Sequence, residues 1–204
     1  MRAGLWTAPW PGDGTIVAPV NSPVVPLPWP TPAPAHGAVV LREFLDADAE
    51  VGRELSTDPY VPLVSTLPPS ATEEQASEWV DRNRERWETG KGFSFAIADS
   101  GNGTGLGQIG LWLDELHHGR ASAGYFIAPS ARGRGLAAQA LIALTTFAWT
   151  IPGLHRMQLF IEPRNTASLR TAERAGYQQE GLLRGYMEIG GRRRDMLVFA
   201  ALRS

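Results

Sequence analysis

The clearest chemical feature of the chain is a short loop of two arginines and two glycines, residues 132–135, that runs directly into an apolar helical pattern. Glycine has no Cβ, so the backbone N–H groups of such a loop can approach a ligand closely. The helix that follows adds N–H groups without acceptors and the positive end of its dipole. Together these features favour the binding of phosphate or pyrophosphate, and the guanidinium groups of Arg132 and Arg134 suit phosphate oxygens.

Other interpretations of the same loop can be weighed from the residues around it. A strand-to-helix turn with exposed arginines has the same short pattern. A kinase or ATPase loop is excluded because no Gly-Lys-Ser or Gly-Lys-Thr follows. A dinucleotide-binding loop fits Gly133, Gly135 and Ala138, but that motif normally opens a βαβ unit and has an acidic residue about twenty positions on, whereas this loop lies late in the chain. Residues 150–160 contain no acid, so a nucleotide or dinucleotide binder is disfavoured.

The elements that must position this loop follow from hydrophobic periodicity and from turn residues. Strands are predicted at residues 38–44, 93–98, 107–113, 121–128, 155–161, 177–189 and 195–202. Helices are predicted to run from Asp46 to before Pro59, from a capping box at 70–73 to Gly90, from Leu136 to Thr150, and from Asn165 to Gly176. The order is one strand, helices, three antiparallel strands, a helix, a strand, a helix and a final hairpin.

Composition narrows the class of protein. The 204 residues are 43% hydrophobic and 20% charged, which suits one globular domain with a real core. A net charge of −2 gives no strong basic field for nucleic acid, and the absence of cysteine excludes a thiol nucleophile and a disulfide framework. No signal peptide is visible, and the apolar stretch 136–149 is too short and too periodic for a bilayer. We expect a cytoplasmic protein with no membrane or nucleic-acid partner.

The first residues differ from the rest of the chain. Nine of the sixteen prolines lie in residues 1–36, which favours extended backbone. Trp6, Trp10 and Trp29 lie in the same segment, and they predict either a wrap around the domain or contact with a second subunit. A partly ordered leader is the alternative. The sequence therefore divides into an N-terminal extension, residues 1–36, and a domain over residues 37–204. A homodimer is compatible with this division.

Two motifs carry a resemblance to a known family. The first has arginine or glutamine, two residues, glycine, one residue, and glycine or alanine. Its specified positions are occupied here by Arg132, Gly135 and Ala137. The second has Asn165 and Ser168 separated by two residues and ends on Gly-Tyr at 176–177. With both motifs in this order, the chain resembles the GNAT superfamily of N-acetyltransferases.

The resemblance covers residues 38–202, and residues 180–184 and 191–195 fit the branch that contains bacterial ribosomal-protein N-terminal acetyltransferases. It implies an α/β (α+β) fold, the GNAT fold. In that fold a mixed, mostly antiparallel central sheet is flanked by helices and splayed at its central strands.

The resemblance also implies acetyl-CoA as co-substrate and assigns residues to it. The residues implied for the pyrophosphate are Arg132, Gly133, Arg134, Gly135, Leu136 and Ala137. The pantetheine arm is expected beside the splayed central strand, where backbone groups are left unpaired, at Phe126, Ile127 and Ala128. A backbone N–H near Ile127 is the implied donor to the thioester oxygen as it gains charge. No metal is expected.

Two side chains of the second motif are given roles by the resemblance. Asn165 resembles the family residue that bonds the cofactor arm, and Ser168 resembles the hydroxyl that protonates the departing thiolate. Helix capping is the other interpretation for both residues, because Asn and Ser are favoured at caps.

The general base is where the chain departs from the family. Many members carry Glu on the central strand where this chain has Ser122, and others carry it on the penultimate strand near Met187. Glu188 substitutes only if a bulge shifts the register, since one step along a strand reverses the face. Glu115, in the turn before the central strand, is a second candidate. A third alternative needs no base, with water or a backbone carbonyl relaying the proton.

The leading functional hypothesis is an acetyl-CoA-dependent N-acetyltransferase. Its acceptor is a primary amine, either a protein N-terminus or a small molecule, which attacks directly in a ternary complex. The alternative is a non-catalytic acyl-CoA-binding module, which the missing Glu supports and which Asn165 and Ser168 oppose. Residues 192–194 form a run of three arginines that is either a solvated hairpin end or a basic rim for an acidic acceptor or the 3′-phosphate of the cofactor.

Overall fold

Strand-forming segments build one eight-stranded sheet in a computed structural model that describes residues 26–203 of the chain. The strands are β1 Ala35–His36, β2 Val39–Arg42, β3 Gly92–Asp99, β4 Gly105–Trp112, β5 Arg120–Ile127, β6 Arg156–Ile161, β7 Gln178–Ile189 and β8 Arg192–Leu202. Their order is β1-β2-β3-β4-β5-β6-β8-β7, and every neighbouring pair is antiparallel except β5 and β6. The mixed, mostly antiparallel sheet predicted from the sequence is confirmed.

Helices cover both faces of this sheet. They are α1 Ala49–Ser56, α2 Val61–Val64, α3 Glu73–Glu88, α4 Leu136–Ala148 and α5 Thr166–Arg174. Successive side chains of β3 point to opposite faces. Phe93 and Phe95 pack edge-on against Phe147 of α4, whereas Ser94 donates a hydrogen bond to Asn83 of α3. The α3 and α4 layers therefore lie on opposite sides of the sheet. No helix among residues 26–203 has the length and apolar character needed to cross a bilayer.

The start of α3 differs from the prediction by two residues. The capping box consists of Thr72 and Gln75: the Gln75 N–H donates to the Thr72 hydroxyl at 3.3 Å, and the Thr72 N–H donates to the Gln75 side chain at 2.9 Å. The box predicted at residues 70–73 is wrong. Ser70 has a φ of 52°, whereas Thr72 has the extended backbone that a cap requires. Both positions satisfy the same short pattern, so the pattern alone could not separate them.

The central strands splay apart. β5 and β6 pair only between residues 120–122 and residues 156–158. Beyond Ser122 the two strands run on to Ile127 and Ile161 without pairing to each other. The splayed sheet expected from the family resemblance is therefore present, and it opens a gap at the carboxyl ends of the two strands.

The end of the N-terminal extension packs against the domain. The Trp29 ring lies 4.9 Å from the Phe95 ring and 5.6 Å from the Trp87 ring, between centroids. The indole N–H of Trp87 donates to the Leu27 carbonyl at 2.7 Å. Trp29 is therefore an anchor for this segment, as one interpretation of the sequence expected. The other tryptophans of the extension, Trp6 and Trp10, lie outside the described residues.

Removal of the Trp29 ring is expected to destabilise the folded protein. Trp29→Ala should lower the free energy of unfolding by about 3 kcal/mol, the lower end for large aromatic truncations because the ring is half-buried. For a chain of this size that corresponds to a fall in Tm of about 6–12 °C, measured by thermal unfolding. Pro28→Ala, at an exposed neighbour, is the control. An unchanged Tm for Trp29→Ala would show that the segment is not held by this ring.

Candidate active site

The gap between β5 and β6 forms a cleft of about 740 Å³. Its walls come from the end of β5, the loop before α4, the segment between β6 and α5, one face of α5, and the segment joining α1 to α2. The lining residues are Asp58, Tyr60, Val61, Tyr125, Phe126, Ile127, Ala131, Arg132, Gly133, Gly135, Leu136, Ala137, Glu162, Arg164, Asn165, Ala167, Ser168, Arg170, Thr171 and Arg174. The cleft thus brings together both motifs that the sequence analysis singled out.

The glycine loop presents bare backbone to this cleft. Gly133 and Gly135 have φ angles of 79° and 74°, in the left-handed region that glycine adopts without strain. A Cβ added at either residue would meet no atom within 4 Å, so both face open space. Gly135 caps α4 with no side-chain acceptor, and within residues 26–203 the N–H groups of residues 135–138 donate to no acceptor. This arrangement fits an anion at the helix N-terminus.

The arginines of the loop have different surroundings. Arg132 donates from Nε to the Ile127 carbonyl at 3.0 Å and from Nη1 to the Asp58 carboxylate at 2.7 Å. Burial acts to raise the pKa of Asp58, but the N–H groups of Tyr60 and Val61 and the Arg132 guanidinium outweigh burial, and the pKa lies below its usual value. Arg132 therefore fastens the loop to the α1–α2 segment. The Arg134 side chain is exposed and does not line the cleft.

The end of β5 turns backbone groups toward the gap. Ala128, directly after β5, donates its N–H to the Leu106 carbonyl of β4 at 2.9 Å. Facing residues of an antiparallel pair alternate between exchanging and not exchanging hydrogen bonds, so the N–H and C=O of Ile127 point away from β4. β6 has already diverged there, and the Ile127 N–H faces the cleft. Phe126 lines the cleft as well, whereas Ala128 is buried outside it.

The second motif lies across the gap at the start of α5. The Asn165 side-chain oxygen accepts the Ser168 N–H at 3.1 Å, which is the helix-capping arrangement. The Asn165 amide NH₂ group has no acceptor in the described part of the chain, and the residue lines the cleft. The Tyr125 hydroxyl donates to the Ser168 carbonyl at 3.4 Å, and burial raises the pKa of this tyrosine. The Ser168 side chain lines the cleft on the α5 side.

The two carboxylates proposed as bases lie elsewhere. Glu115 is ion-paired with Arg120 at 2.6 Å in the turn before β5 and does not line the cleft. Glu188 is exposed on β7, 3.9 Å from Arg193, and is also outside the cleft. β7 does contain a register irregularity, between Leu183 and Met187, but it does not bring Glu188 to the cleft.

A third carboxylate, which the sequence analysis missed, does line the cleft. Glu162 follows the last residue of β6 and its side chain is only 3% exposed. Arg164 Nε lies 2.9 Å from it and Arg194 Nε 3.8 Å. Tyr60, from the α1–α2 segment, places its hydroxyl beside the same carboxylate; burial and the Glu162 charge raise the pKa of Tyr60, which stays protonated. The available signal was a glutamate at the carboxyl end of a strand next to the predicted gap.

Comparison with known proteins agrees with this architecture. The family described as the acetyltransferase (GNAT) domain matches residues 38–178. The chain therefore belongs to the GNAT acetyltransferase family and is an N-acetyltransferase. The resemblance stated from the two motifs is confirmed.

Individual relatives support the same family. The uncharacterized N-acetyltransferase p20 of Bacillus licheniformis is 28% identical over 165 residues, which cover 81% of this chain and 93% of the relative. The structure of Mycobacterium smegmatis RimJ in complex with CoA-disulfide has a TM-score of 0.70 at 26% identity, with 83% and 84% of the two chains covered. RimL, a ribosomal L7/L12 alpha-N-protein acetyltransferase in complex with coenzyme A, has a TM-score of 0.71 at 20% identity, with 83% and 97% covered. At 20% identity, the likeness to RimL shows a shared fold and nothing more.

Proposed function

We propose that the chain transfers an acetyl group from acetyl-CoA to a primary amine, a protein N-terminus or a small molecule, by direct attack in a ternary complex. The observation that carries this proposal is the placement of unpartnered backbone N–H groups in one cleft. Those of residues 135–138 stand at the helix N-terminus, and that of Ile127 stands at the end of β5. A diphosphate fits the first group, and a thioester oxygen fits the second.

The donor half of the cleft has the features that a coenzyme A thioester requires. The diphosphate is held by the N–H groups of residues 135–138. The pantetheine arm lies in the gap beside β5, against Phe126 and the outward-facing backbone of Ile127, and the free amide of Asn165 bonds the arm from the other side. When bound, acetyl-CoA supplies the acetyl group and the thiolate leaving group.

Donor and acceptor approach from opposite faces of the sheet. Tyr125 shares the α4 face with Phe95, because both residues pair with Ile109, and its hydroxyl reaches Ser168. Glu162 follows the last residue of β6 and lies beside Tyr60 of the α1–α2 segment. The amine therefore enters from the side of this segment and meets the thioester in the gap.

Acetyl transfer requires one proton at the departing sulfur and the loss of protons from the amine. The neutral amine nitrogen forms a bond to the acetyl carbon, the carbon–sulfur bond breaks, and the Ser168 hydroxyl gives a proton to the departing thiolate. The proton that the nitrogen loses on becoming an amide returns through water to the serine oxygen, so Ser168 ends the cycle as a hydroxyl. The excess proton of the amine leaves to water, because neither Glu115 nor Glu188 lines the cleft and the two carboxylates of residues 26–203 that do, Asp58 and Glu162, are paired with arginines. This is the relay that the sequence analysis allowed when no dedicated base is present. Ser168 is the catalytic residue of this proposal.

The remaining phosphate of coenzyme A also has candidate partners. Arg170 and Arg174 are one helical turn apart on α5, and both line the cleft. The double variant Arg170→Ala/Arg174→Ala is expected to weaken coenzyme A affinity by about tenfold, a typical value for lost charge-assisted contacts. Affinity for 3′-dephospho-CoA should not change.

Titration calorimetry with the two cofactors measures this difference. Arg193→Ala, on the hairpin rim, is the matched comparison because the rim was the other candidate for the 3′-phosphate. Equal losses for both cofactors, or a selective loss in Arg193→Ala, would contradict the assignment to α5.

The proposed function is tested by an assay of thiol release. Full-length protein is mixed with acetyl-CoA and a panel of acceptors that includes N-terminal peptides, amino acids and polyamines. We expect release of coenzyme A that depends on the acceptor, with an acetylated product of matching mass. Tight acetyl-CoA binding without acceptor-dependent release would instead identify a non-catalytic acyl-CoA-binding module.

A further inference from the structure

The acceptor end of the cleft contains a buried carboxylate that the mechanism above does not use. Glu162 is only 3% exposed, yet it borders the cavity into which the amine must enter. A buried carboxylate is costly unless it is paired, so its partners indicate its role. Those partners are Arg164, Arg194 and the hydroxyl of Tyr60.

The pairing around Glu162 leaves room for an incoming cation. The Arg164 side chain is 58% exposed, and it donates to both oxygens of Glu162, from Nε at 2.9 Å and from Nη2 at 3.3 Å. Arg194 Nε, at 3.8 Å, is too far from the carboxylate for a hydrogen bond and has no acceptor within residues 26–203. An incoming ammonium can take the place of this exposed guanidinium and keep the buried carboxylate paired.

The other charges of the cleft leave Glu162 as the counter-ion for an ammonium. Two acidic residues line the cleft among the described residues, Asp58 and Glu162. Asp58 is already held by Arg132 at 2.7 Å and lies beside the loop that faces the donor. An acceptor enters as a cation and needs a negative partner close to the point of attack.

We propose that Glu162 is the positioning residue for the acceptor: its carboxylate takes the ammonium of the amine, beside the Tyr60 hydroxyl, and orients the nitrogen toward the thioester. This inference rests on the proposed function and specifies its acceptor side. The amine binds as the ammonium, gives up one proton to water, and attacks as the neutral nitrogen.

The charges around Glu162 also determine which amines the site accepts. Arg164 and Arg194 stand next to Glu162, so a second cation on the acceptor would be repelled. An amine with an adjacent carbonyl or carboxylate oxygen instead offers an acceptor to the guanidinium of Arg164, which lines the cleft and is exposed. The site therefore suits a peptide N-terminus or an α-amino acid, and it disfavours a linear polyamine.

The test compares Glu162→Gln with Glu173→Gln, which removes the same charge from an exposed position of α5 outside the cleft. With saturating acetyl-CoA and a peptide acceptor, Glu162→Gln should raise the KM for the peptide by about tenfold or more, as expected for a lost charge-assisted bond. The Kd for acetyl-CoA should not change, and Glu162→Asp should recover part of the loss. Glu173→Gln should behave as wild type.

The outcomes separate this inference from the function on which it rests. An unchanged peptide KM in a folded Glu162→Gln variant, or equal losses in acetyl-CoA affinity, would overturn the role of Glu162 while acetyl transfer stands. Wild-type protein that acetylates no amine would overturn the proposed function first. The unmodified protein gives an independent test, because it should use the peptide at least about tenfold more efficiently, in kcat/KM, than a linear triamine. Equal or better use of the triamine would contradict the charge argument.

Discussion

Replacing Gly135 with valine is expected to weaken acetyl-CoA binding by at least about 100-fold, which is the loss of two charge-assisted hydrogen bonds. Gly135 caps α4 at a φ of 74°, and its Cα faces open cleft with no protein atom near the position of a Cβ. A valine side chain would occupy the space in which the diphosphate approaches the N–H groups of residues 135–138. Titration calorimetry with acetyl-CoA measures the effect.

The backbone strain of this substitution needs its own control. A β-branched residue at positive φ is strained wherever it is placed. Gly153 offers the same geometry outside the cleft: its φ is 77°, a Cβ there meets nothing within 4 Å, and it lies in the turn between α4 and β6. Gly153→Val should lose stability but keep acetyl-CoA affinity. If the two variants bind equally, or Gly135→Val binds as wild type, the loop is not the diphosphate site.

The second large effect is expected from Ser168→Ala, with a fall in kcat of about 100-fold. Ser168 lines the cleft, and the cap of α5 uses its backbone N–H with the side chain of Asn165 and leaves the hydroxyl out. Removing the hydroxyl therefore deletes the proton donor without disturbing the helix start, and the Kd for acetyl-CoA should change less than threefold, about 0.65 kcal/mol.

Steady-state assays and calorimetry on the same preparation separate turnover from binding. Thr166→Ala is the matched control, since Thr166 is an exposed hydroxyl residue two positions earlier in the same helix turn and does not line the cleft. Turnover equal to wild type in Ser168→Ala would remove this residue from the mechanism.

Those parts of the site that consist of neighbouring residues could be predicted from the sequence. The anion-binding geometry of residues 132–137 depends on two glycines and on the helix that follows directly. Both features can be recognised from neighbouring residues in the sequence. The order of strands and helices followed from periodicity, and the splay followed from the family resemblance. The capping box of α3 was misplaced because Ser70 and Thr72 both begin a valid pattern, and only the backbone conformation separates them.

The parts that depend on tertiary contacts could not be predicted. Glu162 and Tyr60 lie far apart in the sequence. They meet only because the α1–α2 segment packs over the gap. Arg132 was expected to face a phosphate, but no sequence pattern indicates that Asp58 already holds its guanidinium. Glu115 and Glu188 were chosen by their positions near strands, whereas access to the cleft depends on which face and which end of the strand a side chain occupies.

The central claim is that bare peptide amides at the start of α4 hold the diphosphate of acetyl-CoA. It is tested most directly by titrating ¹⁵N-labelled full-length protein with acetyl-CoA and following the backbone amide signals. We expect saturable shifts of the amides of residues 135–138 and of Ile127, with smaller changes at Gly153. Saturable binding that leaves the amides of residues 135–138 unmoved, or the absence of any binding, would contradict the claim.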